Sequence, residues 1–191
     1  NMMNKMLYLF IKTFKDVKNI TETLDKARRI ESKSDQMQEE ISAYLAECTK
    51  YELSIESSKG ALAMMRLTNE LESIGDSTLN LFIQIEKLNK DLKFKDEMNR
   101  QILKLNELVM EFVEWNSKFI TKNIQPMSEN NLEKSIKYEN EIDDMRNNLL
   151  DASRNRLSKG SNAKAELLFM DLIKHLEHIG DYSLNISQAL E

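Results

Sequence analysis

Residues 71–80 read Leu-Glu-Ser-Ile-Gly-Asp-Ser-Thr-Leu-Asn, and residues 176–185 read Leu-Glu-His-Ile-Gly-Asp-Tyr-Ser-Leu-Asn. In each copy a glutamate and an aspartate stand four residues apart, so that on a helix they share one face. Each copy also places a glycine inside a helical pattern, which costs about 1 kcal/mol relative to alanine. The repeat therefore predicts two similar helical halves, each presenting a pair of carboxylates.

Composition predicts an all-α fold. The 191 residues include only one proline and four glycines, whereas residues that favour long helices are abundant. Apolar residues recur at helical spacing almost throughout, beginning with Met3, Met6, Phe10, Phe14 and Val17. The pattern predicts three helices followed by three more.

Local signals set the expected helix boundaries. The second helix is predicted from about Thr21 to Glu47, and the third from the 49–58 region to about Leu88. Asp96 is the expected N-cap of a fourth helix that ends near Ile124. The fifth follows Pro126 and Ser128 and ends near Leu157, and a turn around Gly160 and Asn162 precedes the sixth.

Charge and cysteine content exclude several classes of protein. The net charge is −5, with no basic stripe, which argues against nucleic-acid binding. Cys48 is the only cysteine, so a disulfide framework or a cysteine metal site is excluded and the cytosol fits best. No apolar run approaches the roughly 18 residues that a membrane span needs.

Two more carboxylate pairs repeat in the second and fifth helices. They are Glu31 with Asp35 and Glu139 with Asp143, again four residues apart. In the first half, the predicted turn lies about halfway along the chain between the pair Glu31/Asp35 and the pair Glu72/Asp76. In the second half, the turn lies about halfway between Glu139/Asp143 and Glu177/Asp181. Residues equidistant from the turn of a helical hairpin lie at the same height. Each half is therefore expected to bring four carboxylates to one level.

Four crowded carboxylates repel one another, and a hard cation relieves that repulsion. Oxygen-only ligand sets suit magnesium, calcium, manganese or iron, whereas zinc usually prefers some histidine or cysteine. Asn80 and Asn185 continue the acidic stripes and are candidates to supply an amide oxygen or to orient water. His178 is expected to be a surface residue rather than a ligand. The alternative is an ordinary solvated acidic surface, since 32 of the 191 residues are aspartate or glutamate.

At these residues the chain resembles the PhoU family of phosphate-homeostasis regulators, above all in the twice-written Leu-Glu-x-Ile-Gly-Asp-x-x-Leu-Asn. The resemblance implies one PhoU-like domain over residues 1–191. This domain would consist of two tandem antiparallel three-helix bundles, over residues 1–92 and 93–191. Ser73 and His178 depart from the family, which often has arginine there. Carried over position by position, the implied metal ligands are Glu31, Asp35, Glu72, Asp76, Glu139, Asp143, Glu177 and Asp181.

The resemblance also implies a function. It indicates a non-enzymatic regulatory domain that binds divalent or trivalent metal ions (iron, zinc, manganese, magnesium or calcium) and modulates phosphate uptake. The implied partners are a phosphate transporter, in cis or in trans, and a phosphate-signalling kinase, while a homodimer is left open. The length and the non-methionine start favour the cytoplasmic C-terminal domain of a sodium/phosphate cotransporter, tethered to the inner face of the membrane, over a stand-alone regulator.

Two rival functions come from other classes of protein. A metal-free helical interaction module would leave the acids as solvated surface and its stability unchanged by a chelator. A metal-dependent hydrolase of phosphate compounds would turn over substrate with magnesium or manganese. The sequence offers no nucleophile–base pair and no general base beyond the ligands themselves, so an enzyme is not expected.

Overall fold

A computed structural model describes residues 2–16, 19–88, 92–121 and 124–191. Within these ranges there is no strand, and the all-α prediction is confirmed. Val17, predicted to belong to the first helix, lies outside the described residues. The helices are α1 (Met2–Lys15), α2 (Ile20–Cys48), α3 (Ile55–Glu86), α4 (Asp96–Ile120), α5 (Glu129–Ser158) and α6 (Ala163–Ala189).

Capping side chains account for several of these boundaries. The Asn162 side chain accepts a hydrogen bond from the backbone nitrogen of Ala165 at 3.1 Å and caps α6. Ser54 caps α3 in the same way, through Ser57 at 3.1 Å. Gly160 has a φ of 83°, a left-handed conformation that glycine adopts without strain and that ends α5. The predicted turn before α6 is therefore confirmed.

Two predicted boundaries of α4 are wrong. Asp96 is the first helical residue rather than the N-cap, which is Lys95. There its carboxylate lies in the first turn, where it interacts favourably with the helix dipole. The helix ends at Ile120, not near Ile124, and the backbone nitrogen of Gln125 donates to the carbonyl of Phe119 at 2.9 Å.

The centre of the fold is the pair α3 and α6, which run antiparallel. Asn185 of α6 donates to Glu70 of α3 at 3.0 Å, and Arg66, earlier on α3, donates to Gln188, later on α6, at 3.0 Å. Helices α1 and α2 pack on α3, whereas α4 and α5 pack on α6. The chain thus forms the expected two three-helix bundles, joined along their central helices.

The internal repeat is visible in hydrogen bonds as well as in sequence. The Thr78 hydroxyl donates to the carbonyl of Ile74 at 2.7 Å, and the Ser183 hydroxyl donates to the carbonyl of Ile179 at 2.7 Å. Each residue of the second pair stands 105 positions after its counterpart. The two halves therefore place equivalent side chains in equivalent surroundings.

A chain of aromatic rings joins the two halves into one core. Phe14 of α1 contacts Phe94 in the connection before α4 with ring centroids 6.3 Å apart, and Phe94 meets Phe169 of α6 edge-on at 6.0 Å. Helix α1 also contacts α4. The division between residues 92 and 93 stays a prediction. Among the described residues, no helix combines the length and the apolar character needed to cross a membrane.

Candidate metal centre

The repeated glycines lie where the central helices meet the helices that carry the other acidic pairs. A Cβ on Gly180 would lie 3.0 Å from Cδ1 of Ile142 on α5, closer than ordinary contact. A Cβ on Gly75 would meet Oγ of Ser34 on α2 at 3.7 Å and Met3 at 3.6 Å, which is ordinary contact. Gly180 therefore allows α5 and α6 to pack closely, and the space beside it is occupied by the Ile142 side chain rather than open to a ligand.

The second half brings three of its four motif acids together. Glu139 and Asp143 of α5 and Asp181 of α6 each offer a carboxylate oxygen, and these oxygens lie within 4.8 Å of one another. We call Glu139, Asp143, Glu177 and Asp181 the second cluster. Glu177 faces the same space, with 13% of its side chain exposed, and is engaged by Arg146.

Arg146 is a cation within this cluster that sequence reasoning missed. Its Nη2 donates to Oδ1 of Asp143 at 2.7 Å and lies 3.4 Å from Oε1 of Glu177, so it links α5 to α6. The hydrogen bond that Arg146 donates to Asp143 raises the pKa of Arg146 against the effect of burial, and the neighbouring charges of Glu177, Asp143 and Asp181 raise it further. The sequence signal was its position, three residues after Asp143 on the same helix.

The first half groups its four acids less tightly. We call Glu31, Asp35, Glu72 and Asp76 the first cluster; among the described residues, no three of them reach the spacing found in the second half. Burial raises the pKa of Glu31, and the charge and hydrogen bonding of Asp35 and then the charges of Asp76 and Glu72 raise it further. The charges of the other three acids therefore oppose the ionisation of Glu31.

Hydrogen bonds within the first cluster come from short polar neighbours. The Asn80 amide donates to Oδ2 of Asp76 at 3.3 Å, and the Ser73 hydroxyl donates to Oε2 of Glu72 at 3.3 Å. Oδ1 of Asp35 is buried without a hydrogen-bond partner in the described part of the chain. Because a buried carboxylate oxygen normally has a partner, this atom is a good candidate for a metal ligand.

The carboxylates of the second cluster also resist ionisation. Burial is the main cause that raises the pKa of Glu139, Glu177 and Asp181. The charge of Asp143 raises all three further, and the charge of Arg146 opposes the increase in each case. Half-buried acids that repel one another need positive charge to stay ionised together.

Both clusters suit a hard metal ion by their chemistry, and the second cluster also suits it by its spacing. Ligand oxygens about 2.0–2.6 Å from an ion lie at most about 4–5 Å apart across it, which matches the 4.8 Å span of Glu139, Asp143 and Asp181. The oxygen-only donor set favours magnesium, calcium, manganese or iron. The individual ligand roles of all eight motif acids stay predictions.

The remaining polar candidates of the repeat point elsewhere. Asn185 donates to Glu70 across the central helices, so it does not extend the second cluster in the way that Asn80 extends the first. Nε2 of His178 lies 3.8 Å from Oε2 of Glu177, at the edge of the cluster. Burial, followed by the charge of His178, lowers the pKa of His175.

A buried ion pair near the α5–α6 turn was also missed. Glu166 is fully buried, and its carboxylate accepts hydrogen bonds from Nε and Nη2 of Arg156 at 2.8 and 2.9 Å. The hydroxyls of Ser153 and Ser161 donate to the same carboxylate at 2.6 and 2.8 Å. Every partner lies within 13 residues of Glu166 along the chain, but none shares its helix. No helical periodicity could reveal such a network.

Comparisons with known proteins agree with the sequence analysis. Residues 119–190 match a family model described as the PhoU domain. The fold is similar to the crystal structure of PhoU from Pseudomonas aeruginosa, with a TM-score of 0.79 and 15% identity, over 99% of this chain and 91% of that one. A search of curated proteins gave no significant match.

Proposed function

Because residues 119–190 match the PhoU domain model and the fold is similar to that of a PhoU protein, we propose that the chain is a non-enzymatic, metal-binding regulator of phosphate homeostasis. The observation that carries the proposal is the pair of acidic clusters, one in each half, built from the central helix and its neighbour. In the second cluster three carboxylate oxygens lie within 4.8 Å of one another. Half-buried acids of this kind are poorly explained as solvated surface, because burial raises their pKa values.

The metal is proposed to hold each helical hairpin closed. A bound ion supplies positive charge between α2 and α3 or between α5 and α6, together with coordination positions that suit phosphate oxygens. The ligands are Glu31, Asp35, Glu72 and Asp76 in the first cluster and Glu139, Asp143, Glu177 and Asp181 in the second. Iron, zinc, manganese, magnesium and calcium are all candidates, and the oxygen-only set favours the hard ions.

The regulated partner is proposed to be a phosphate transporter on the cytoplasmic side of the membrane. Because the similarity in fold extends over nearly all of a PhoU structure, a stand-alone regulator explains the architecture as well as a cotransporter domain does. In the stand-alone form the chain would act in trans, on a transporter or on a phosphate-signalling kinase. In the fused form it would act in cis.

Phosphate uptake in the source organism tests this function. The variant replaces Glu72, Asp76, Glu177 and Asp181 with alanine at the native locus. We expect uptake of labelled phosphate to lose its dependence on external phosphate, while far-ultraviolet circular dichroism of the purified variant retains the helix content. The matched control replaces four exposed acids away from the clusters, Glu39, Glu40, Glu56 and Asp151, and keeps normal regulation. Normal regulation in the cluster variant would contradict the proposal.

A further inference from the structure

The second cluster contains an arginine that the first cluster lacks. In the second cluster, Arg146 Nη2 lies 2.7 Å from Asp143 and 3.4 Å from Glu177, with 28% of the arginine side chain exposed. One cation thus contacts motif acids on both helices of the hairpin. Since an arginine in a partly desolvated site stays charged and holds carboxylates through directed hydrogen bonds, this second cluster carries its own positive charge.

The first half has a neutral residue at the equivalent position. Ser34 and Ile142, which stand 108 residues apart, occupy matching places against Gly75 and Gly180. The same offset makes Gln38 the counterpart of Arg146. Gln38 donates instead to Oδ1 of Asn69 at 2.8 Å.

No cation takes the place of that arginine in the first cluster. Across residues 2–16, 19–88, 92–121 and 124–191, no ion pair includes Glu31, Asp35, Glu72 or Asp76. The second cluster has the ion pairs from Arg146 to Asp143 and Glu177, and Nε2 of His178 also lies 3.8 Å from Oε2 of Glu177. Among the described residues, only the second cluster therefore has an arginine that offsets the repulsion among its acids.

We propose that Arg146 is a built-in counter-cation that makes the two halves unequal: the second cluster is held together without metal, and the first cluster depends on it. Arg146 is then a residue that determines metal affinity. A metal ion entering the second cluster must displace or repel a positive charge, whereas an ion entering the first meets none. The affinity part of this inference rests on the proposed metal-binding function; the part that concerns the metal-free protein does not.

Melting in the presence of a chelator tests the counter-cation directly. Arg146→Gln gives the second half the residue of the first, and we expect its Tm in EDTA to fall by about 3–6 °C. Arg146→Lys keeps the charge and should recover most of that loss. The mirror variant, Gln38→Arg, adds a cation three residues after Asp35 and should raise the Tm.

Arg154→Gln is the matched control for these melts. Arg154 lies on the same helix and pairs with Asp151, three residues earlier, at 2.7 Å. This pair has the spacing and distance of the Arg146–Asp143 pair, but the Arg154 and Asp151 side chains are each 68% exposed. An exposed pair of this kind contributes little, so the control should shift the Tm by no more than about 1 °C.

Manganese binding, followed by the electron paramagnetic resonance of free Mn²⁺, tests the affinity of each cluster. In a background in which Asp35→Asn and Asp76→Asn disable the first cluster, Arg146→Gln should tighten Mn²⁺ binding roughly tenfold or more, because a competing charge is removed. In the otherwise native chain, Gln38→Arg should weaken the tighter class of sites by a similar factor.

The outcomes separate this inference from the proposed function. If the wild-type chain binds no Mn²⁺, manganese is excluded as its metal and the affinity part of this inference fails, yet the melts in EDTA still decide whether Arg146 offsets the acids. If Arg146→Gln melts like Arg154→Gln, the counter-cation is ruled out, whatever binds. If the melts follow the expected order but Arg146→Gln leaves Mn²⁺ affinity unchanged, the inequality between the clusters is wrong. A poorly folded Arg146→Gln leaves the decision to Gln38→Arg, whose Tm must rise.

Discussion

At the scale of single residues, hydrogen-bond partners decide whether a buried carboxylate ionises readily in this protein. Burial raises the pKa of Glu166, but the hydrogen bonds from Arg156, Ser153 and Ser161 and the charge of Arg156 outweigh burial and hold it below its usual range. Glu31 of the first cluster has acids as its neighbours, and its pKa is raised by burial and then by their charges. Glu166 is thus stabilised in its charged form by its own partners, whereas Glu31 lacks, in the described part of the chain, a positive charge that would stabilise its ionised form.

The Arg156–Glu166 pair should be essential for stability. Arg156→Met leaves a fully buried carboxylate without its cation, so we expect a loss of about 3–5 kcal/mol in the free energy of unfolding, measured by urea denaturation. Arg154→Gln, which removes the exposed pair with Asp151, should cost no more than about 0.5 kcal/mol. Equal losses in the two variants would contradict the structural role.

Acid should stabilise the metal-free protein through the first cluster. Burial raises the pKa of Glu72 from its ordinary 4.5 against the hydrogen bond from Ser73, and the charges of Asp35 and Asp76 raise it further. A group with a raised pKa binds protons more tightly in the folded state, so its charged form lowers stability as the pH rises through the folded pKa. Below the unfolded pKa this penalty is absent.

The variant Glu72→Gln with Asp76→Asn removes these charges at any pH. In EDTA we expect it to melt above wild type at pH 7.5 and by a smaller margin at pH 5.5, as measured by calorimetry. Glu39→Gln, at an exposed site on α2, is the control and should show no such pH-dependent margin. An equal difference in Tm at both pH values would mean that the ionisation of Glu72 does not destabilise the fold.

At the scale of helices, the repeat fixes which elements meet, and side-chain shape fixes how closely. The two glycines look identical in the sequence, but Gly180 faces Ile142 at 3.0 Å from a built Cβ and Gly75 has ordinary clearance from Ser34 and Met3. The difference arises because α5 has the bulky Ile142 at the place where α2 has the smaller Ser34. The α5–α6 contact is therefore the one that requires glycine.

Alanine at the two glycines should have opposite effects on stability. Gly75→Ala should gain about 0.5–1 kcal/mol from helix propensity. Gly180→Ala should lose about 1–2 kcal/mol, because its Cβ overlaps Cδ1 of Ile142. Urea denaturation measures both. The Gly180→Ala loss should shrink in an Ile142→Val background, which lacks that methyl group, and a loss of the same size there would rule out the clash.

Helix boundaries were largely predictable because they depend on local signals. The ends of α2 and α5 differ from their predicted positions by about one residue, and Gly160 with Asn162 marks the last turn as expected. The common height of the acidic pairs follows from counting residues to each turn. Local sequence therefore accounts for the fold and for the grouping of the acids.

The rotation of side chains was not predictable from spacing alone. Asn80 and Asn185 occupy equivalent positions, yet one donates to Asp76 and the other crosses to Glu70. The cations Arg146 and Arg156 were missed because their partners include residues on another helix. These hydrogen-bond partners depend on which side chains of a neighbouring helix lie close by. The residue spacing along one helix does not determine that.

At the scale of the whole molecule, the two acidic motifs are held by one pair of antiparallel helices in a continuous core. The hydrogen bonds from Asn185 to Glu70 and from Arg66 to Gln188 join α3 to α6 directly. The ring contacts of Phe94 with Phe14 and Phe169 join the halves a second time. A metal ion that binds only the folded state therefore stabilises the whole chain, by mass action.

The number of metal ions bound per chain is the most direct test of the two-cluster account. Protein stripped with EDTA, dialysed against iron, zinc, manganese, magnesium or calcium and analysed by elemental mass spectrometry should retain metal at both halves. Replacing Glu72 and Asp76 with alanine should abolish the ions of the first half, and replacing Glu177 and Asp181 should abolish those of the second. A quadruple variant that retains as much of every metal as wild type would contradict the account.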